Sequence, residues 1–245
     1  MECGTRGLRC SPEYSASNIV ATQRLLVAAE SVGVRRFVLA SSSSVYGNTD
    51  RPSREDDPPL PLSPYGVTKL AAENPCRVHT ERRDTTMTTV ILRYFTVYGP
   101  RQRPGMAISK VLSAALTGER LPMYGSGDQR REFTYVADIV DATVAAAVAP
   151  DSVDGVVLNG AGRECVSLLD VIRLAVEITG NEVPMIEKPV QAGDVEVSHA
   201  DHTLAQQVLA YRPKVGLREG ITRQARWMAD HVGVALSLES MVVIR

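Results

Sequence analysis

Residues 36–47 read Arg-Phe-Val-Leu-Ala-Ser-Ser-Ser-Ser-Val-Tyr-Gly, and the fold turns on how they are read. The first six form a short apolar run after a helical pattern, which marks a strand buried on both faces in a parallel sheet. Before it, Ile19, Leu25, Leu26, Ala29 and Val32 recur at helical spacing over 18–33, and Gly33 sits at the stop position. After it, 48–64 is a loop crowded with Pro and Asp, and a helix begins near Pro64 and runs beyond Lys69. TTVILRYF at 88–95 reads as a second buried strand. A loop at 100–105 leads to a helix at 106–117 ending at Gly118. An Ala-rich helix at 138–148, a short strand at 155–159 and a helix at 168–179 stopped by Gly180 and Asn181 follow. Strands alternating with helices imply a parallel α/β sheet. Pro75 falls inside the 64–80 helix, where an interior proline costs about 3 kcal/mol, so that helix either kinks or ends early.

The chain has 245 residues, is 44% hydrophobic and carries a formal net charge of -1. It can bury a sizeable core, in one domain or two small ones. Its charge balance suggests neither a nucleic-acid partner nor a trap for acidic substrates. No apolar run reaches the roughly 18–20 residues of a membrane span. The start lacks the apolar core of a signal peptide. Cys3, Cys10, Cys76 and Cys165 are scattered, as incidental thiols of a reducing cytoplasm are, and a cytoplasmic location is expected. His79, His199, His202 and His231 form no metal pattern. The apolar tail at 234–245 has no obvious place in the fold, and no repeat or low-complexity segment occurs.

Chemistry enters at Ser63-Pro-Tyr-Gly-Val-Thr-Lys69. Tyr65 and Lys69 stand at i and i+4, on one helical face. There an ammonium can lower the phenol's pKa toward a value useful for proton transfer. A serine hydroxyl from the end of the neighbouring strand would complete a relay.

With these motifs the chain resembles the extended short-chain dehydrogenase/reductases, and within them the NAD-dependent nucleotide-sugar epimerases and dehydratases. The resemblance runs from about Asn18 to Asp230. SSSSVYG (41–47), SPYGVTKLAAE (63–73), LRYFTVYGPRQRP (92–104), YGSGDQRREFTYVAD (124–138) and QAGDVEVSHAD (191–201) carry it, in the family's order. It implies an NAD(P)-binding Rossmann fold, a doubly wound parallel sheet, with a smaller α/β substrate lobe. The sheet domain would comprise 11–100 and 132–163, and the lobe 101–131 and 164–233. The resemblance assigns Tyr65 as the proton acceptor, Ser42 as its hydroxyl partner and Lys69 as the residue binding the nicotinamide ribose. Asn18, Ser41, Tyr65, Lys69, Tyr94 and Phe95 would hold NAD. Ser43, Thr96, Arg101, Tyr124, Arg131 and Asp194 would hold a UDP-sugar, with Arg131 on the diphosphate, Asp194 on the ribose hydroxyls and Arg101 on a sugar carboxylate.

Family members that dehydrate the sugar carry a Glu where this chain has Ser43-Ser44, so a 4-epimerase acting on UDP-glucuronate or UDP-glucose is expected. The runners-up are a non-catalytic nucleotide-sugar binding protein, another dehydratase or decarboxylase of the family, and an interaction module pairing through an exposed sheet edge. A homodimer through the helices at 18–33 and 64–80 is implied.

Relatives begin with a strand and a glycine-rich turn that receives the pyrophosphate. Gly4 and Gly7 follow no apolar strand, and the resemblance begins at a helix that follows the family's fourth strand. The expectation is therefore an N-terminally truncated member lacking its first strands. Its catalytic residues would be intact and its cofactor site incomplete, which puts activity in doubt. Its strand at 36–41 would have an unpaired edge.

Overall fold

In the computed structural model, which describes residues 11–82, 84–190 and 195–232, three parallel strands make the main sheet. They are β1 (Arg36–Ser42), β2 (Thr88–Tyr94) and β7 (Val156–Gly160), in the order β1-β2-β7. Arg36 stands opposite Thr88 and Ser42 opposite Tyr94, so β1 and β2 end level at their carboxyl ends. Alternation along β2 explains both faces. Ile91 packs with Leu26 of α2 (Ala21–Ser31) and with Ala72 and Cys76 of α3 (Pro64–Thr80). Val90 and Leu92 pack on the other side with Ala142 and Ala146 of α5 (Val136–Val148), and with Ala205 and Tyr211. Helices thus cover both faces, as a parallel sheet requires. Among the described residues β1 pairs on one side only, with β2.

The expected helix at 18–33 starts earlier. Helical backbone begins with α1 (Ser11–Tyr14), passes through a π segment at Ser15–Val20, and continues as α2 to Ser31. Gly33, at φ +72, closes it as its position suggested. Pro75 does not end α3 early. Pro64 occupies the first turn, where its missing N–H costs nothing, and the Ser63 hydroxyl accepts from Gly66 N at 3.1 Å. Beyond Pro75 the Cys76 carbonyl accepts from the Thr80 hydroxyl at 3.1 Å, and Cys76 is fully buried. Packing of that last turn outweighs the lost backbone bond.

A second core lies in the lobe. α4 (Ala107–Thr117), α6 (Leu168–Thr179) and α8 (Leu217–Val232) enclose Ile108, Leu112, Val171, Ala175 and Ile221 together with Tyr98, Phe133 and Tyr135. Short strands edge it: β3 (Val97–Tyr98) with β6 (Thr134–Tyr135), β4 (Leu121–Tyr124) with β9 (Met185–Lys188), and β10 (Val197–Ser198), β5 (Arg130–Glu132) and β8 (Cys165–Ser167) in that order. Pattern reading finds none of the strands from β3 to β6 or from β8 to β10, because runs of two to four residues carry no measurable period. α7 (Thr203–Leu209) packs beneath the main sheet with Val90 and Leu158, so this part of the 164–233 stretch sits with the sheet domain. Among the described residues no helix is long and apolar enough to cross a membrane.

Candidate active site

The carboxyl end of β1 and the first turn of α3 meet because a glycine allows it. A Cβ on Gly66 would come within 2.4 Å of the Ser44 carbonyl oxygen. That close approach sets Tyr65 beside the serine strip, with its phenol near enough to the Ser42 side chain for that hydroxyl to favour the phenolate. The Ser42 hydroxyl also accepts from Ser44 N at 3.1 Å, which fixes its orientation. Lys69 lies one turn along α3. Its Nζ stands 5.8 Å from the centre of the Tyr65 ring and donates to the Ala40 carbonyl at 3.0 Å. Ser42, Tyr65 and Lys69 are therefore brought together as a unit.

The electrostatics differ from the expectation. Burial raises the Tyr65 phenol above its ordinary value; the neighbouring Ser42 hydroxyl and the charge of Arg103 pull it down without cancelling that rise. The ammonium of Lys69 is turned to the Ala40 carbonyl, and burial lowers its own pKa. Tyr14 meets the Tyr65 ring edge-on at 5.7 Å, a contact no sequence signal announces.

Beside this unit, between the strand ends and the lobe, lies a cavity of about 310 Å³. Ser43, Thr96, Tyr124 and Arg131 line it, as expected of substrate residues, and so does Lys110 from α4. Its described lining has two cations and no carboxylate, which suits an anionic ligand. Lys110 escaped the sequence reading because a lone lysine among the buried Ile108, Val111 and Leu112 looks like an ordinary polar position of an amphipathic helix. Arg101 is not in this lining; it is exposed, with φ +67. Arg103, two residues on, is the loop arginine whose charge reaches Tyr65. Asp194 lies outside the described residues.

The cofactor expectations divide. Asn18 donates from Nδ2 to the Thr68 hydroxyl at 2.9 Å, tying the π segment to α3. The Tyr94 hydroxyl pairs with that of Thr143 at 2.7 Å. The Ser41 hydroxyl is spent inside the protein, donating to Glu73 Oε1 at 2.6 Å. Phe95 is a core side chain, 1% exposed, packed near Tyr46. The alternation that turns Ser42 toward Tyr65 turns Ser41 the other way. What remains fits the nicotinamide end of a dinucleotide: a half-buried ammonium and a tyrosine at the carboxyl ends of parallel strands, where such folds bind their ligands. Among the described residues no group of His, Cys, Asp and Glu could hold a metal ion. Cys76 is no nucleophile, since burial pushes its thiol up to about 12.

A doubly wound sheet, a Ser-Tyr-Lys unit at its carboxyl edge and a ligand cavity under a second lobe define a class. The chain belongs to the NAD dependent epimerase/dehydratase family, whose profile matches residues 9–159. Among curated relatives, an uncharacterized UDP-glucose epimerase of Bacillus subtilis (strain 168) is 39% identical over 217 residues, 89% of this chain and 68% of the relative. The UDP-glucuronate 4-epimerase of Thermodesulfobacterium geofontis (strain OPF15) is 32% identical over 95% of this chain and 72% of its own length. Among solved structures, MoeE5 in complex with UDP-glucuronic acid and NAD superposes with a TM-score of 0.85 at 44% identity, covering 87% of this chain and 71% of that one.

Proposed function

We propose that the chain is an NAD-dependent UDP-sugar 4-epimerase. The observation that carries this reading is the placement of the Tyr65 phenol beside the Ser42 side chain, with Lys69 one turn away, at the edge of a cavity whose described lining holds two cations and no carboxylate. Tyr65, as phenolate, accepts the proton of the sugar's C4 hydroxyl and later returns it. Ser42 hydrogen-bonds the same sugar oxygen and holds it in line with the phenol. Lys69, with Tyr65, would hold the nicotinamide ribose, and Arg103 is the cation whose charge favours the phenolate. Bound NAD supplies the acceptor for the hydride that leaves the sugar carbon and the donor that restores it. Arg131 and Lys110 would face the diphosphate. Dehydration needs a base at C5, and Ser43 and Ser44 offer none.

The test is to purify the chain, assay NAD released on denaturation, and follow interconversion of UDP-glucuronate with UDP-galacturonate and of UDP-glucose with UDP-galactose. Bound or added NAD together with turnover supports the reading. Affinity for UDP-sugars without turnover supports a binding protein in its place.

Arg103 favours UDP-glucuronate as the substrate. Its charge already acts at the Tyr65 phenol, where a sugar's reacting end would sit, and it forms no ion pair among the described residues. Arg103→Ala is expected to lower kcat/KM for UDP-glucuronate by about tenfold or more, one charge-assisted contact. The value for UDP-glucose should fall less, by only the share that a raised Tyr65 pKa takes from both substrates alike. Equal losses on both substrates overturn the assignment.

The family's implied homodimer is supported by the apolar residues left exposed on the helices concerned: Val20 at 43%, Val27 at 63%, Val67 at 52% and Val78 at 66%. Sedimentation at tens of micromolar is expected to give twice the chain mass, and Val67→Asp with Val78→Asp to give one. A monomer in the unsubstituted chain sinks the proposal.

A further inference from the structure

Among the buried carboxylates that the mechanism leaves unused is Glu132. Glu132, on β5, is 2% exposed. Successive strand residues face opposite sides, so Arg131 reaches the cavity while Glu132 turns away from it toward Ala200, which packs with Val45, Tyr46 and Phe95. Its Oε2 accepts from Ala200 N at 2.7 Å. The segment it grips is a wall of the site: Val195 and Ser198 line the cavity, and Val197 and Ser198 run parallel to Arg130 and Arg131. The same segment is tied on its far side, where Ser53 N donates to the His199 carbonyl at 2.8 Å and Asp201 N to the Ser53 carbonyl at 2.9 Å. Those bonds leave the Ala200 amide to Glu132.

We propose that Glu132 is a positioning residue for the substrate cavity: its carboxylate, by accepting from Ala200 N, holds segment 195–200 against β5 and keeps Ser198 in the wall beside Arg131. This rests on the nucleotide-sugar reading of the cavity. A carboxylate accepts an amide hydrogen more strongly than a carboxylic acid does, so the grip follows ionisation. Burial pushes the Glu132 carboxyl up to about 7, against the lowering effect of the Ala200 amide. The titratable and charged groups around it are few. His199 Nε2 stands 3.6 Å away, Cys165 on β8 is its cross-strand partner, the charge of Glu132 reaches Tyr211, and Arg130 and Arg131 precede it on its own strand. The carboxylate is charged above its pKa, so the wall is held at alkaline pH and loosens as pH falls. Through-space repulsion between Glu132 and a bound diphosphate would have the opposite sign, favouring binding at acid pH.

The probe is UDP-glucose, whose diphosphate, esterified at both ends, keeps its charge across the range. Its dissociation constant, measured by calorimetry, is expected to be about fivefold weaker at about pH 6 than at about pH 8, the loss of one charge assistance. Glu132→Gln should bind weakly and equally at both, with kcat at saturating substrate within about twofold of the unsubstituted chain, as loss of binding alone requires. His199→Gln should keep the pH dependence. The proposal is overturned if the unsubstituted chain binds equally at both pH values or more tightly at the lower one, or if the dependence vanishes with His199 and survives Glu132→Gln. Absence of UDP-glucose binding at every pH overturns the nucleotide-sugar reading itself, and turnover with pH-independent binding leaves that reading standing while Glu132 loses its role.

Discussion

Tyr65→Phe is expected to lower kcat about a thousandfold on either UDP-sugar, the scale of a lost general base, with UDP-glucose affinity unchanged. The phenol is the group that faces the Ser42 side chain and, in the proposed reaction, the sugar oxygen; the ring contributes packing against Tyr14 at 5.7 Å, which phenylalanine keeps. Loss of one half-buried hydrogen bond costs only about 1 kcal/mol of stability. The variant should therefore remain folded and bind its ligand. The pH profile adds a second readout. Only the phenolate accepts a proton, and burial raises the Tyr65 pKa, so kcat/KM should climb with pH well past neutrality. The rise should move to higher pH in Arg103→Ala, which removes the charge that lowers the Tyr65 pKa. A Tyr65→Phe enzyme within tenfold of the unsubstituted rate would assign the proton to another group.

The largest stability loss is expected from Glu73→Gln, roughly 3–5 kcal/mol in urea unfolding, the scale for a buried ion pair that loses one member. Glu73 is 0% exposed and Arg93 1%. Arg93 donates from Nε to Glu73 Oε1 at 2.9 Å and from Nη2 to Oε2 at 2.7 Å, while Ser41 donates to Oε1 at 2.6 Å. The guanidinium also stacks 4.7 Å from the centre of the Tyr46 ring. Burial alone would lower the Arg93 pKa; the Glu73 hydrogen bond and the Tyr46 contact more than reverse that. With glutamine at 73 the cation stays buried and uncompensated. The double variant Glu73→Leu with Arg93→Met should recover much of the loss, because it removes both charges. Recovery that fails in the double variant would show that the pair acts through packing and not through charge.

This pair also shows where sequence reasoning stopped. Ser41 stands next to Ser42 in a run of four serines, and nothing in the run says which hydroxyl meets the tyrosine. The strand's alternation decides it, sending Ser42 to Tyr65 and Ser41 to Glu73. Arg101 and Arg103 posed the same problem. Both lie in one loop, and only the loop's path, with Arg101 at φ +67, makes Arg103 the one whose charge reaches the phenol. Glu132 reads in sequence as one more charge in QRRE; its burial comes from β8 and segment 195–200 closing around it.

By itself the sequence determined what depends on local pattern. Short apolar runs separated by helical periods specify a parallel α/β sheet. The Ser63 cap and Pro64 place the start of α3, and the spacing of Tyr65 and Lys69 sets them on one face of it. Fine structure in the lobe was decided by tertiary contact alone, because its strands are two to four residues long and exist only where a partner completes their hydrogen bonds. The site was decided partly in each way: local spacing chose the Tyr-Lys pair, and the docking of α3 on the serine strip through Gly66 chose its serine. The packing of α4 against the lobe brought Lys110 to the cavity that Arg131 enters from β5.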